Sequence, residues 1–129
     1  MPKQVIFSEK GPRPLGAYSQ AIRAGDFIFV AGMGGIDPAT GQMVPGGIRE
    51  QTRRALENIK AVLESAGASL KDVVKVTVFL ARAEDFNDMN DVYREYFKEE
   101  PPARSTVAGN IPGKNFLVEI DAIAYVGKQ

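Results

Sequence analysis

Residues 115–126 read NFLVEIDAIAYV, and the alternation within this run decides the architecture. Successive side chains on a strand point to opposite faces. One face carries Phe116, Val118, Ile120, Ala122, Ala124 and Val126; the other carries Leu117, Glu119, Asp121, Ile123 and Tyr125. The run VVKVTVFLA (73–81) repeats the pattern, with Val74, Val76, Val78 and Leu80 opposite Val73, Lys75, Thr77 and Phe79. Both segments predict strands with one wholly apolar face and one mixed face.

The apolar face needs a cover, and the chain supplies two helices. From Ile48 to Ala66 the period changes: Ile48, Thr52, Ala55, Leu56, Ile59, Val62, Leu63 and Ala66 recur at spacings of three and four. Gly67 follows as a stop, since glycine enters the left-handed conformation without steric cost. Asp85 is placed to cap a second helix to about residue 98, with Phe86, Met89, Tyr93, Tyr96 and Phe97 as its buried stripe. Pro101 and Pro102 end it.

Towards the N-terminus, QVIF (4–7) predicts a short strand and GPRPLG (11–16) a loop. YSQAIRA (18–24) and FIFVAG (27–32) flank the turn pair Gly25-Asp26, a hairpin signal; IDPATGQMV (36–44) holds another turn. A further strand falls at about 104–108. The order β-β-(β)-α-β-α-β-β predicts one α+β domain over residues 1–129, a sheet with two helices. Two helices cover one face of a single sheet. The other, still partly apolar, is most economically buried by further copies of the chain.

Composition narrows the chemistry. The 129 residues include 16 Lys+Arg and 16 Asp+Glu, so the formal net charge is zero, which argues against nucleic-acid binding through a basic face. Cysteine and histidine are both absent. That removes disulfides, thiolate nucleophiles, the commonest general base and the commonest zinc ligands. Catalysis then rests on Arg, Lys, Glu, Asp, Tyr, Ser or Thr with water. No segment reads as a signal peptide or membrane span, so a cytoplasmic location is expected.

In PPARSTVAGN (101–110), Arg104 follows two prolines at a strand entrance. Its planar fork matches a carboxylate through two parallel hydrogen bonds. A solvated strand-end arginine is the plainer reading. Glu119 interrupts an apolar run, and desolvation there would raise its pKa toward that of a usable base. The plainer reading is the wet face of a strand. Tyr18 offers a phenol at a loop edge, and the glycines of AGMGG (31–35) allow close backbone approach without matching a phosphate-binding spacing.

GAYSQAI (16–22), AGMGGIDPATGQMV (31–44), DVVKVTVFLA (72–81), DFNDMNDVYREYF (85–97), PPARS (101–105) and VEIDAIA (118–124) together resemble the RidA/YjgF family of reactive-intermediate deaminases, over nearly the whole chain. The resemblance implies a chorismate-mutase-like fold, a mixed sheet with two helices on one face. It implies trimers packed as a barrel, with sites between subunits. The implied activity is hydrolysis of enamine and imine acids, such as 2-aminoacrylate, 2-iminopropanoate and 2-iminobutanoate, to 2-oxo acids and ammonia. Pyridoxal-phosphate dehydratases acting on serine or threonine would supply them.

Carried over by position, the resemblance makes Arg104 the binder of the substrate carboxylate and Glu119 the residue that activates water. Tyr18, Gly32, Asn90 and Thr106 would line the pocket. No metal or other cofactor is implied. Two departures stand out: Met33 where many members have glutamine, and Thr106 where deaminase members usually have cysteine. They motivate one alternative, a non-catalytic sensor of small carboxylates or 2-oxo acids. A translation-inhibiting or RNA-cleaving role fits least with zero net charge and no histidine.

Overall fold

The computed structural model describes residues 2–127. Eight strands and two helices follow the chain: β1 (Gln4–Ile6), β2 (Ala21–Ala24), β3 (Phe27–Met33), β4 (Ile36–Asp37), β5 (Gln42–Met43), α1 (Ile48–Ser65), β6 (Val73–Leu80), α2 (Phe86–Tyr96), β7 (Ala103–Ala108) and β8 (Val118–Tyr125). Six strands form one mixed sheet in the order β1-β2-β3-β8-β6-β7, while β4 and β5 make a small separate hairpin. All pairings in the large sheet are antiparallel except β6 with β7, which are joined through α2. Parallel neighbours need such a crossover. The strand that decided the fold, β8, lies inside the sheet between β3 and β6.

The core lies between this sheet and the two helices. Leu56, Ile59, Val62 and Leu63 of α1 pack with Ile28, Val76, Val78, Ile120 and Ala124 of the sheet, all essentially buried. Each such side chain contributes on the order of 1.5–3 kcal/mol of transfer free energy. The helix ends as expected: Gly67 takes φ +80°, its N–H donates to Glu64 O, and Ala68 N–H donates to Leu63 O. That double bond pattern satisfies the last carbonyls of the helix. Exposed ion pairs from Arg49 to Asp88 and Asp91, and from Arg53 to Glu95, join the two helices at 2.6–3.0 Å.

Four local differences from the sequence reading have physical causes. Tyr18–Gln20 do not extend β2, because the Gln20 side chain turns inward to bond Ser8 and Pro12. β8 starts at Val118 rather than Asn115, since Asn115 sits at φ +67°. A register shift against β8 between Val73 and Lys75 inverts the first pair of β6, so Val73 is buried and Val74 exposed. Asp85 occupies the N-cap of α2 but its buried carboxylate pairs with Arg82 instead of the helix N–H groups. In addition, Phe86 is 38% exposed rather than part of the buried stripe.

The sheet face away from the helices is mixed and partly apolar, as the alternation predicts. Phe27, Phe29, Phe79 and Val107 stand exposed on it. Phe27 stacks on Tyr125 with ring centroids 5.2 Å apart.

Candidate functional site

The six site residues expected from the sequence fall into two groups, on opposite faces of the sheet. Glu119 is the centre of the first. It alternates with Val118 and Ile120, both fully buried toward the helices, so its own side chain leaves by the open face. Its partner across β6 is Phe79. A Cβ on Gly32 would collide with the Glu119 carboxyl, so the glycine gives that carboxyl its seat against the β3 backbone. β3 loses regular register with β8 between Val30 and Met33, which opens the backbone at this place.

Glu119 borders two clefts. One, of about 320 Å³, is walled by Tyr18, Gly32, Met33 and Phe116, with Arg13 at its edge. The other, of about 280 Å³, lies beside Phe79, Val107 and Ile111. Tyr18 is anchored by its phenol oxygen, which accepts a hydrogen bond from Leu15 N–H at 3.0 Å. Partial burial raises the pKa of Glu119 above the ordinary glutamate value, and the negative charge of Asp121 adds to the effect. A carboxyl so perturbed in a cleft holds its proton more readily than an ordinary glutamate, which suits it to proton exchange with a bound molecule.

Arg104 heads the second group. It pairs with Val76, whose side chain is buried beneath the helices, so Arg104 leaves β7 on the helix side. There α2 receives it along one stripe, at positions i, i+4 and i+7. Nη1 donates to Asn90 Oδ1 at 2.8 Å. The guanidinium carbon lies 4.6 Å from the Tyr93 ring centroid and 5.5 Å from that of Phe86. Arg104 has no carboxylate partner among the described residues. The aromatic rings and one amide hold the fork while leaving donors for a bound anion. Thr106, half-buried, follows on the same face, paired with Val78.

Tyr18, Gly32 and Glu119 are therefore brought together, and so are Asn90, Arg104 and Thr106; the sheet separates the two sets within one chain. Sequence reasoning placed Phe86 and Tyr93 in a buried stripe and missed them as the walls around Arg104. Their spacing around Asn90 carried that signal. It also missed Phe116, whose ring fills the space left by Gly34. Among the described residues, no three Asp or Glu side chains cluster as a metal site would require.

Known proteins resemble this chain over nearly its whole length. The family profile described as Endoribonuclease L-PSP matches residues 8–126. A RutC family protein of Pyrococcus abyssi is 60% identical over 97% of this chain and 98% of its own. The Bos taurus protein named 2-iminobutanoate/2-iminopropanoate deaminase is 43% identical over 97% of this chain and 91% of its own. The crystal structure of RidA from an Antarctic Psychrobacter superposes with a TM-score of 0.90 at 40% identity, covering 95% of this chain and 99% of that one. The chain belongs to the RidA/YjgF family, whose profile carries the description Endoribonuclease L-PSP.

Proposed function

We propose that the chain hydrolyses 2-imino acids and their enamine tautomers to 2-oxo acids and ammonia, in clefts where the Glu119 group of one copy faces the Arg104 group of another. The observation that carries this reading is Glu119 itself: a carboxyl with raised proton affinity, seated against Gly32 in a cleft beside Tyr18. The name of the Bos taurus relative supports the substrate class.

The chemistry needs little else. The carbon of a protonated C=N group is already electrophilic, so no covalent nucleophile is required. Arg104, steadied by Asn90, grips the substrate carboxylate through its fork. Glu119 takes a proton from water as the oxygen bonds to carbon, giving a carbinolamine. The same carboxyl then returns the proton to nitrogen. As the C–N bond breaks and ammonia leaves, the hydroxyl oxygen forms the C=O bond and gives its proton to the Glu119 carboxylate, which passes it to the departing ammonia, so that a 2-oxo acid and ammonium remain. Positioning the water and carboxylate supplies much of the rate. Dehydratases of the pyridoxal-phosphate type are the proposed source of substrate, and a homotrimer is the proposed assembly.

The test is direct. Purified protein is added while a serine/threonine dehydratase generates 2-iminopropanoate, and loss of the imine is followed. Acceleration over buffer that disappears in both Arg104→Ala and Glu119→Gln is the expected result. No acceleration by the folded protein across several imine acids rejects the reading. Calorimetric binding of 2-oxobutanoate without turnover would instead favour a carboxylate sensor.

A further inference from the structure

A buried carboxamide is costly unless its donors and acceptor are all engaged. Among the described residues three are buried: Gln20, Gln51 and Asn58, exposed by 1%, 3% and 0%. Gln20 holds the loop before Tyr18 through Ser8 and Pro12. The other two sit on α1, seven residues apart and so two turns along the same face. Neither lines the cleft at Glu119, yet Asn58 grips Gly34 and Ile36, which do, and Gln51 grips the two residues that flank Phe116, which does.

Gln51 reaches across to the segment that leads into β8. Its Nε2 donates to Asn115 O at 3.0 Å and its Oε1 accepts from Leu117 N–H at 2.9 Å. The bonded segment includes Asn115 at φ +67°, a conformation that costs energy for a residue with a Cβ. Asn58 Nδ2 donates to Gly34 O at 3.0 Å and Ile36 O at 2.9 Å, while its Oδ1 accepts from Arg54 Nε at 3.0 Å. The two segments then lock to each other, because the Phe116 ring occupies the space where Gly34 lacks a Cβ. Gly35, in turn, lies directly on Gln51, leaving no room for a side chain of its own.

We propose that Gln51 and Asn58 are positioning residues for Glu119, fixing from the helix side two backbone segments, 34–36 and 115–117, that supply walls of the cleft its carboxyl lines. Apolar side chains would fill the same space at less desolvation cost; only a carboxamide sets the depth of a strand entrance through paired bonds to its N–H and C=O. The kinetic consequence rests on the imine-hydrolysis reading above. The geometric one does not.

The experiment compares Gln51→Leu, Gln51→Glu and Leu63→Ala, each assayed where circular dichroism shows the folded state. Leu63 is fully buried on the same helix and holds no segment of the cleft, so its truncation reports destabilisation alone. Gln51→Leu is expected to lower kcat by about tenfold to a hundredfold, as misplacement by roughly 1 Å can do, with KM changed less than about threefold. Gln51→Glu, which keeps the acceptor for Leu117, should fall between it and the native protein. Leu63→Ala should keep kcat within about twofold despite an equal or larger loss of thermal stability. Carboxyl ¹³C NMR then follows Glu119 directly: its midpoint should move back toward the ordinary glutamate value in Gln51→Leu. If Gln51→Leu does not fold, Gln51→Glu carries the same readouts. An unchanged kcat in the folded variant, an equal loss in Leu63→Ala, or an unmoved Glu119 midpoint overturns the proposal. If the native protein shows no turnover at all, the functional reading fails, and the NMR midpoint alone decides the positioning role.

Discussion

Arg104 and Glu119 leave opposite faces of the same sheet: Arg104 pairs with buried Val76 and meets α2, whereas Glu119 pairs with Phe79 on the open face. Within one chain β6 lies between the strands that carry them, and the thickness of the sheet separates their side chains. A site that uses both needs two copies.

Complementation follows from this. Arg104→Ala and Glu119→Gln proteins should each be inactive alone. When unfolded together and refolded as a one-to-one mixture, about a quarter of the intersubunit sites would join an intact Arg104 to an intact Glu119. Recovered activity near that fraction is expected. Mixtures that stay inactive, with mixed oligomers confirmed by mass spectrometry, would contradict a shared site.

Glu119 should set the acid limb of the pH profile. Its raised pKa means the basic form is lost as pH falls through a value above that of ordinary glutamate. kcat/KM is expected to rise with pH through that value, and Glu119→Gln should lose roughly a hundredfold or more of activity and the limb with it.

The same shift has a stability consequence of opposite sign. A carboxyl whose folded-state pKa is raised binds its proton more tightly when folded. Stability therefore falls as pH rises from the ordinary glutamate value through the raised one. Glu119→Gln should melt a few degrees above the native protein at pH 7, by roughly the shift expected of a small relieved burden. The gain should vanish in acid, below the ordinary value. Differential scanning fluorimetry at several pH values checks this.

Gly32→Ala should damage activity more than folding. The added Cβ meets the end of a flexible side chain, the Glu119 carboxyl, which is displaced from its seat. A loss of kcat of about tenfold or more is expected with a melting temperature close to native.

Thr52→Val tests the helix interface. Thr52 is fully buried on α1 and its hydroxyl has no hydrogen-bond partner among the described residues. Replacing it with a methyl group should stabilise the protein by about 1 kcal/mol in urea titration, since an unsatisfied hydroxyl is removed.

The large periodic elements were legible in the sequence because burial and period coincide there: α1, β6 and β8 follow the apolar pattern almost throughout. Arg104 and Glu119 were legible as charges in unusual surroundings. Their separation was not, because which face Arg104 uses depends on the parallel pairing of Val76 with Arg104, a contact between segments 28 residues apart. Gln51 and Asn58 read as polar positions beside an apolar stripe, although both are buried. Their partners, Asn115, Leu117, Gly34 and Ile36, come from distant parts of the chain. Local spacing also gave no sign of the register shift at Val73, which depends on β8.

The seating of Arg104 against α2, and of Glu119 against β3, leaves the two groups with no supporting residue in common. A substitution at Phe86 or Tyr93 alters what surrounds the Arg104 guanidinium while the carboxyl beside Gly32 keeps its surroundings. A substitution near Gly32 does the reverse. Under the proposed function, a lineage built on this chain could, after gene duplication, change its choice of acid and its chemistry in independent steps.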